Sequence, residues 1–268
     1  MLHARLLTLA ALAWVATPGL GTAAGPPFEL AVKQDRLLGS TRGTLVFTEN
    51  EVQFRAPDPK EGRRWSYLAL KQVRVLGPTR IAIDTYEDRG RLRLGADRSY
   101  EFEVVDGAVR EDLIGFLLAR LERPVVTAVM PPLEGQPLFR VPVKHQRQGH
   151  GSDGTLLLYP DGLAYLTERE TEARYWRLRD VFAVLQLDRY RLQVVTYEGG
   201  SGATRPYTFE LKTDLPATMY DALWQRVNAP ALAGGSPRVD RAVIGDYHRF
   251  DPPAPGATQA PHSRGGVR

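Results

Sequence analysis

Along most of the chain, hydrophobic and polar residues alternate with the period of two that a half-buried strand requires. The pattern first appears at residues 28–33. It returns at 44–48 and 52–55, on either side of Glu49-Asn50, as a hairpin in which Leu45, Phe47, Val52 and Phe54 share one face. Residues 156–159 and 163–166 repeat that hairpin around Pro160-Asp161-Gly162, where Pro presets φ and Gly accepts a positive φ. Strand patterns follow at 64–70 and 175–181, each carrying a Trp, and at 73–76 and 184–187. They close at 80–86 and 191–197, where Ile81, Ile83 and Thr85 match Leu192, Val194 and Thr196. The period then changes. Ile114, Leu117, Leu118 and Leu121 recur at i, i+3, i+4 and i+7, as do Tyr220, Leu223, Trp224 and Val227, which predicts one amphipathic helix after each run of strands. Pro124 and Pro230 stand just beyond these stretches, where a proline ends a helix.

The same series of elements therefore occurs twice. Residues 28–87 lie over 139–198 at an offset of 111 without a gap, and sixteen of the sixty positions are identical. The identities include Gly43-Thr44-Leu45 over Gly154-Thr155-Leu156, Arg63-x-Trp65 over Arg174-x-Trp176, and Thr85-Tyr86-Glu87 over Thr196-Tyr197-Glu198. A longer loop in the first copy then shifts the offset to 107, realigning Tyr100-x-Phe102-Glu103 with Tyr207-x-Phe209-Glu210. Self-similarity of this kind marks one folding unit used twice. It divides the chain into residues 28–123, a linker at 124–137, residues 138–228 and a tail at 229–268. That tail is rich in Pro, Gly, Ala and Ser and is predicted to be disordered.

Composition changes this picture in three places. Residues 1–24 read as a secretory signal: Arg5, an apolar run over 6–16, the breakers Pro18 and Gly19, then the small residues Thr22-Ala23-Ala24. The apolar run falls short of the roughly 20 residues of a spanning helix, so a cleaved signal and a periplasmic or secreted chain are expected. There is no cysteine, which leaves core packing alone to hold the fold and excludes thiol catalysis and cysteine-based zinc sites. The net charge of +4 is thinly spread: Arg5 leaves with the signal and the tail carries five Arg against three Asp, so about +1 remains on the two copies and their linker. A nucleic-acid partner needs a concentrated basic face, and none is present.

Six or seven short antiparallel strands and one C-terminal helix in under 100 residues, with Trp224 on the helix face where Leu118 stands in the first copy, resemble the pleckstrin-homology superfold, including its GRAM-type and bacterial members. The resemblance implies a mainly β chain of two tandem PH-like barrels, each of about seven antiparallel strands plugged by its helix, with Trp224 on the inner face. It also implies binding rather than catalysis, of phosphoinositide headgroups, phosphopeptides or protein partners; with no cofactor expected, the leading expectation is a non-catalytic binding or scaffolding module whose protein or peptide partner is reached through an exposed sheet edge, a loop end or the groove between the copies. Lipid-binding members carry a basic signature on the first two strands that neither copy reproduces.

Candidate chemistry is sparse. Arg89, Arg91 and Arg93 alternate with Gly90, Leu92 and Leu94, with Arg98 on the return strand, so an extended hairpin would point three guanidinium groups one way; this is the anion-binding candidate, suited to anionic lipid or polysaccharide. Glu87, Asp88 and Asp97 balance it within the same hairpin. Trp65 and Trp176 fit core packing better than a binding face, since equivalent placement in both copies is what a shared interior requires. Tyr86-Glu87 and Tyr197-Glu198 suit either role. His145, His150, Ser152 and Asp153 invite a hydrolase reading, but Ser152 lacks a nucleophile-elbow pattern, and two histidines make a weak metal site.

Overall fold

The computed structural model describes residues 25–36, 39–88, 97–147, 149–199 and 203–232. The expected signal at 1–24, Arg89, Arg91, Arg93 and all of the tail after Leu232 lie outside them.

The first run of strands comprises β1 (Phe28–Asp35), β2 (Ser40–Phe47), β3 (Glu51–Arg55), β4 (Arg63–Ser66), β5 (Leu70–Gly77), β6 (Arg80–Asp88) and β7 (Asp97–Val104), followed by helix α1 (Glu111–Arg120). A short strand β8 (Val125–Thr127) comes next. The second run is β9 (Phe139–Arg147), β10 (His150–Leu158), β11 (Gly162–Leu166), β12 (Arg174–Arg177), β13 (Val181–Asp188), β14 (Arg191–Thr196) and β15 (Arg205–Leu211), then helix α2 (Ala217–Leu232). Strand neighbours agree between the runs: β1 pairs with β2 and β7 as β9 pairs with β10 and β15.

The expectation of two separate barrels, each stoppered by its own helix, is not met. All fifteen strands belong to one hydrogen-bonded sheet in the order β13-β14-β15-β9-β10-β11-β12-β8-β5-β6-β7-β1-β2-β3-β4. The cause is the linker. Val125-Val126-Thr127 are three consecutive β-branched residues, so the segment read as a spacer is a strong strand former. It lies parallel to Val73–Val75 of β5 and meets Tyr175 of β12 through Thr127, so it satisfies two sheet edges that would otherwise be unpaired.

Two interiors flank this junction. One is built from Leu45, Phe47, Phe54, Trp65, Ile81, Phe102, Ile114 and Leu117, and it also takes in Leu157, Tyr159, Ala164 and Tyr175 from the second run. The other contains Val143, Leu156, Tyr165, Trp176, Val194, Phe209, Met219 and Leu223. Each fully buried side chain of this size contributes about 1.5–3 kcal/mol. The shared glycines have a packing cause: a Cβ on Gly43 would collide with the Arg55 carbonyl oxygen and the Phe54 ring, and one on Gly154 with the Leu166 oxygen and the Tyr165 ring. Gly162 is present for the same reason rather than for a positive φ, since a Cβ there would overlap the Tyr175 phenol.

Local differences from expectation also have causes. The stretches 64–70 and 175–181 are each split by a single 3-10 turn, Tyr67–Ala69 and Leu178–Asp180. The first helix buries Ile114, Leu117, Leu118 and Leu121 as its periodicity demands. The second continues through Pro230 to Leu232, past the expected stop. Its inner face is Met219, Leu223 and Val227, and Trp224 stands outside at 41% exposure, contrary to the inner position the resemblance implied.

One buried ion pair joins the two runs. Arg177 grips Asp180 through two hydrogen bonds of 2.6 and 3.0 Å. The same guanidinium donates to the carbonyls of Leu118, Leu121 (2.6 Å) and Arg123 (2.9 Å). Those acceptors lie in the last turn of α1, at its C-cap and just beyond it, where a cation also meets the negative end of the helix dipole; Arg179 adds a second donor to the Leu121 carbonyl at 3.1 Å.

Candidate functional site

A Trp-Glu-Tyr cluster occurs in each run. In the first, Trp65 Nε1 donates to Glu87 Oε1 at 3.0 Å and the Tyr100 hydroxyl donates to Glu87 Oε2 at 2.6 Å, with the two rings 4.8 Å apart. In the second, Trp176 and Tyr207 both donate to Glu198, and their rings are 4.9 Å apart. The clusters differ in exposure. Glu87 sits at an open strand end with Arg98 Nη1 3.9 Å away, whereas Glu198 is buried. Burial pushes the Glu198 carboxyl above its ordinary range, against the pull of Tyr207 and of Arg174, whose Nε lies 3.8 Å away. Both indoles are buried, so the paired tryptophans are core. Arg98 hydrogen bonds with Tyr100 and is held above the usual guanidinium value by that contact, so this arginine is bound into the Trp-Glu-Tyr cluster of its own sheet.

The hydrolase constellation does not assemble. His145 and Ser152 face each other across β9 and β10, as Gln34 and Thr41 do in the first run. The Ser152 hydroxyl, however, is engaged with the Tyr165 hydroxyl at 2.9 Å. His145 is enclosed by Tyr165, Tyr207 and Phe209 at 5.3–5.7 Å between ring centres. Burial first, and nearby Arg147 second, lower its pKa to about 4, so the ring is neutral. His150 is exposed, and Asp153 pairs with Lys212 at 3.2 Å. Among the described residues no three His, Cys, Asp or Glu side chains group as metal ligands.

The two ends of the sheet are more informative. The β4 end has no outer strand partner among the described residues, and it carries ion pairs: Arg64 of β4 with Glu51 of β3, and Arg55 of β3 with Glu29 of β1 at 3.2 Å. At the β12 edge, which docks on β8, the positions matching Gln53, Arg55 and Arg64 are the apolar Ala164, Leu166 and Tyr175, all packed on the first interior. The other end, β13, has no strand partner on its outer side among the described residues. Helix α2 borders it: Leu215 N–H donates to the Arg189 carbonyl at 2.9 Å, and the Tyr220 hydroxyl reaches the Val184 carbonyl at 3.5 Å, so the helix runs back along the strand. Trp224 lies one turn further on, and Leu187 and Tyr190 are exposed at the end of β13 and in the turn after it.

The matching region of the first run is covered. There β8 fills the β5 edge, Pro132 packs on α1 at Gly115, and Leu118, the counterpart of Trp224, is only 8% exposed. Periodicity alone put Trp224 inside because it occupies the same helical position as Leu118. The signal that separates them is the apolar Val-Val-Thr after α1, which has no counterpart directly after α2.

No described helix is long and apolar enough to cross a membrane. No family model matches the chain, and no curated protein matches it. Among solved structures it is similar to one described as the structure of the Spt16D Pob3N heterodimer, at 10% identity and a TM-score of 0.24, over 65% of this chain and 84% of that one. At that score the likeness adds nothing to the architecture of the sheet.

Proposed function

We propose that the chain is an exported, non-catalytic binding module that captures an extended peptide segment of a partner protein along the outer edge of β13, beside α2. One observation carries this reading: the edge and helix face that a strand and a linker cover in the first run have no such cover in the second among the described residues. Unpaired backbone groups on an edge strand add a further strand readily, and alternate side chains of the peptide then choose the partner. Trp224 and Leu187 supply the apolar contact, the former being the residue type that most often anchors such interfaces. Absence of catalysis is supported by the state of the polar groups: Ser152, Glu198 and Arg174 are hydrogen-bonded within the core and His145 is enclosed by rings. Export rests on the signal-like residues 1–24.

The test is selection of binders from a random-peptide library on the mature full-length protein. Selected peptides should lose at least tenfold in affinity on Trp224→Ala or Leu187→Asp, both surface changes that leave the thermal midpoint in place. Binders indifferent to both substitutions, or peptides that the protein cleaves, would overturn the proposal.

A further inference from the structure

The two ends of β13 differ in charge. At the Leu187 end the charged groups are matched within the chain: Arg191 pairs with Asp188 and Arg189 with Asp214, both at 2.6 Å. The Val181 end lies against the first run. Val181 is paired with Thr196, and the next residue, Tyr197, accepts a hydrogen bond from Gln72 Nε2 of β5 at 3.4 Å and packs its ring on Phe182 of β13 at 5.5 Å. Arg179, two residues before the strand, donates to the Leu121 carbonyl at the end of α1. The start of β13, the start of β5 and the end of α1 therefore meet in one place. Helix α2 runs back along β13 from Arg189 past Val184, so Trp224, one turn beyond Tyr220, is carried toward this same end.

Not all the cations gathered there are neutralised. Arg177 is matched by Asp180 and Lys71 by Asp97. Arg120 and Arg123, exposed in and just after the last turn of α1, have no carboxylate within ion-pairing distance among the described residues, and Glu122, the acid between them in sequence, pairs with neither. Each guanidinium lies instead over a tyrosine: Arg120 is 5.7 Å from the centre of the Tyr67 ring, and Arg123 is 5.8 Å from that of the half-exposed Tyr86. A guanidinium resting on a ring keeps its planar fork of N–H donors available and has little side-chain freedom left to lose when a carboxylate arrives. We infer that Arg120, Arg123 and Arg179 receive acidic side chains of the partner segment that docks on β13, at its Val181 end. This rests on the reading of that edge as a peptide-docking edge and adds its selectivity. From Val181 to Leu187 is six residues, about 20 Å of strand, so the segment carries acidic residues about six positions from the apolar residue that meets Leu187. Two guanidinium groups without carboxylates suit one or two acidic side chains, whereas a nucleic acid or an anionic membrane requires a wider basic face.

Random-peptide selection run in parallel on the mature full-length protein and on R120E/R123E tests this; both changes are at exposed positions and leave Arg177 and Arg179 on the Leu121 carbonyl. Peptides selected on the parent should be enriched in Asp and Glu about six positions from an apolar residue, and should weaken at least tenfold between about 0.05 and 0.5 M salt. They should bind R120E/R123E at least tenfold more weakly, and selection on that variant should return Lys and Arg where the parent returned acids. R120Q/R123Q, which removes the charges without reversing them, should lose the preference without inverting it. Peptides that require Trp224 but show no acidic preference, or acidic peptides that bind R120E/R123E as well as the parent, overturn the inference and leave the proposed function standing. Acidic peptides that require the arginines but are indifferent to Trp224→Ala and Leu187→Asp support the anion site and overturn the proposed function. Phosphatidylglycerol vesicles that bind the parent and not R120E/R123E, with no acidic peptide selected, overturn the inference in favour of a lipid surface.

Discussion

His145 shows how one interior position sets pH behaviour. Its ring faces Tyr165, Tyr207 and Phe209, with the charges of Arg147, Glu172, Arg174 and Arg205 nearby, and its pKa falls from 6.5 to about 4. As pH drops below 6.5 the unfolded chain takes up a proton there that the folded chain refuses until about pH 4. Stability is therefore lost across that window and not above it, by up to about 3 kcal/mol. Glu198 acts with the opposite sign: its raised carboxyl favours the folded state at low pH, and that contribution fades as pH rises through its folded value. His145→Gln, which installs the residue found at this place in the first run, isolates the histidine. Urea midpoints at pH 7.5 and 4.5 should differ less in the variant than in the parent; equal differences would refute the assignment. The tryptophans were legible as core from their duplicated placement. The glutamates were not, because a strand-end Glu reads the same whether it is solvated, as Glu87 is, or sealed beneath a Trp and a Tyr, as Glu198 is.

Among the elements, hairpins and helices followed from period and turn residues, while the contacts that join them did not. Nothing in Arg-Tyr-Trp-Arg marks Arg177 as the residue that closes the end of α1, since Ser66 holds the aligned place. Removing its side chain takes the guanidinium fork from the buried Asp180 and a donor from the carbonyls of Leu118, Leu121 and Arg123, so Arg177→Ala should cost about 3–5 kcal/mol in chemical denaturation. Arg177→Lys should restore less than half of that loss, because an ammonium cannot chelate the carboxylate and reach the carbonyls together. Full restoration by lysine would mean that charge alone, without the fork, holds the joint. The strand β8 was missed for a related reason: three residues are too few for a period, and their strand character is realised only because two edges flank them.

At the scale of the whole molecule, a duplicated pattern predicts two similar units but says nothing of whether they remain apart. Here the short strand between them fuses both runs into one sheet, and the apolar face of β10 to β12 completes the first interior. Among the described residues that use of one junction leaves both end strands without an outer strand partner but unlike in their surroundings, with ion pairs beside β4 and a helix bearing an exposed indole beside β13. The most direct measurement is residue-resolved amide exchange on the full chain, with and without a saturating selected peptide. The account expects alternate amides within Val181–Asp188 to slow at least tenfold, with β4 unaffected. Protection that appears at β4, on the loops or nowhere in the sheet would contradict it.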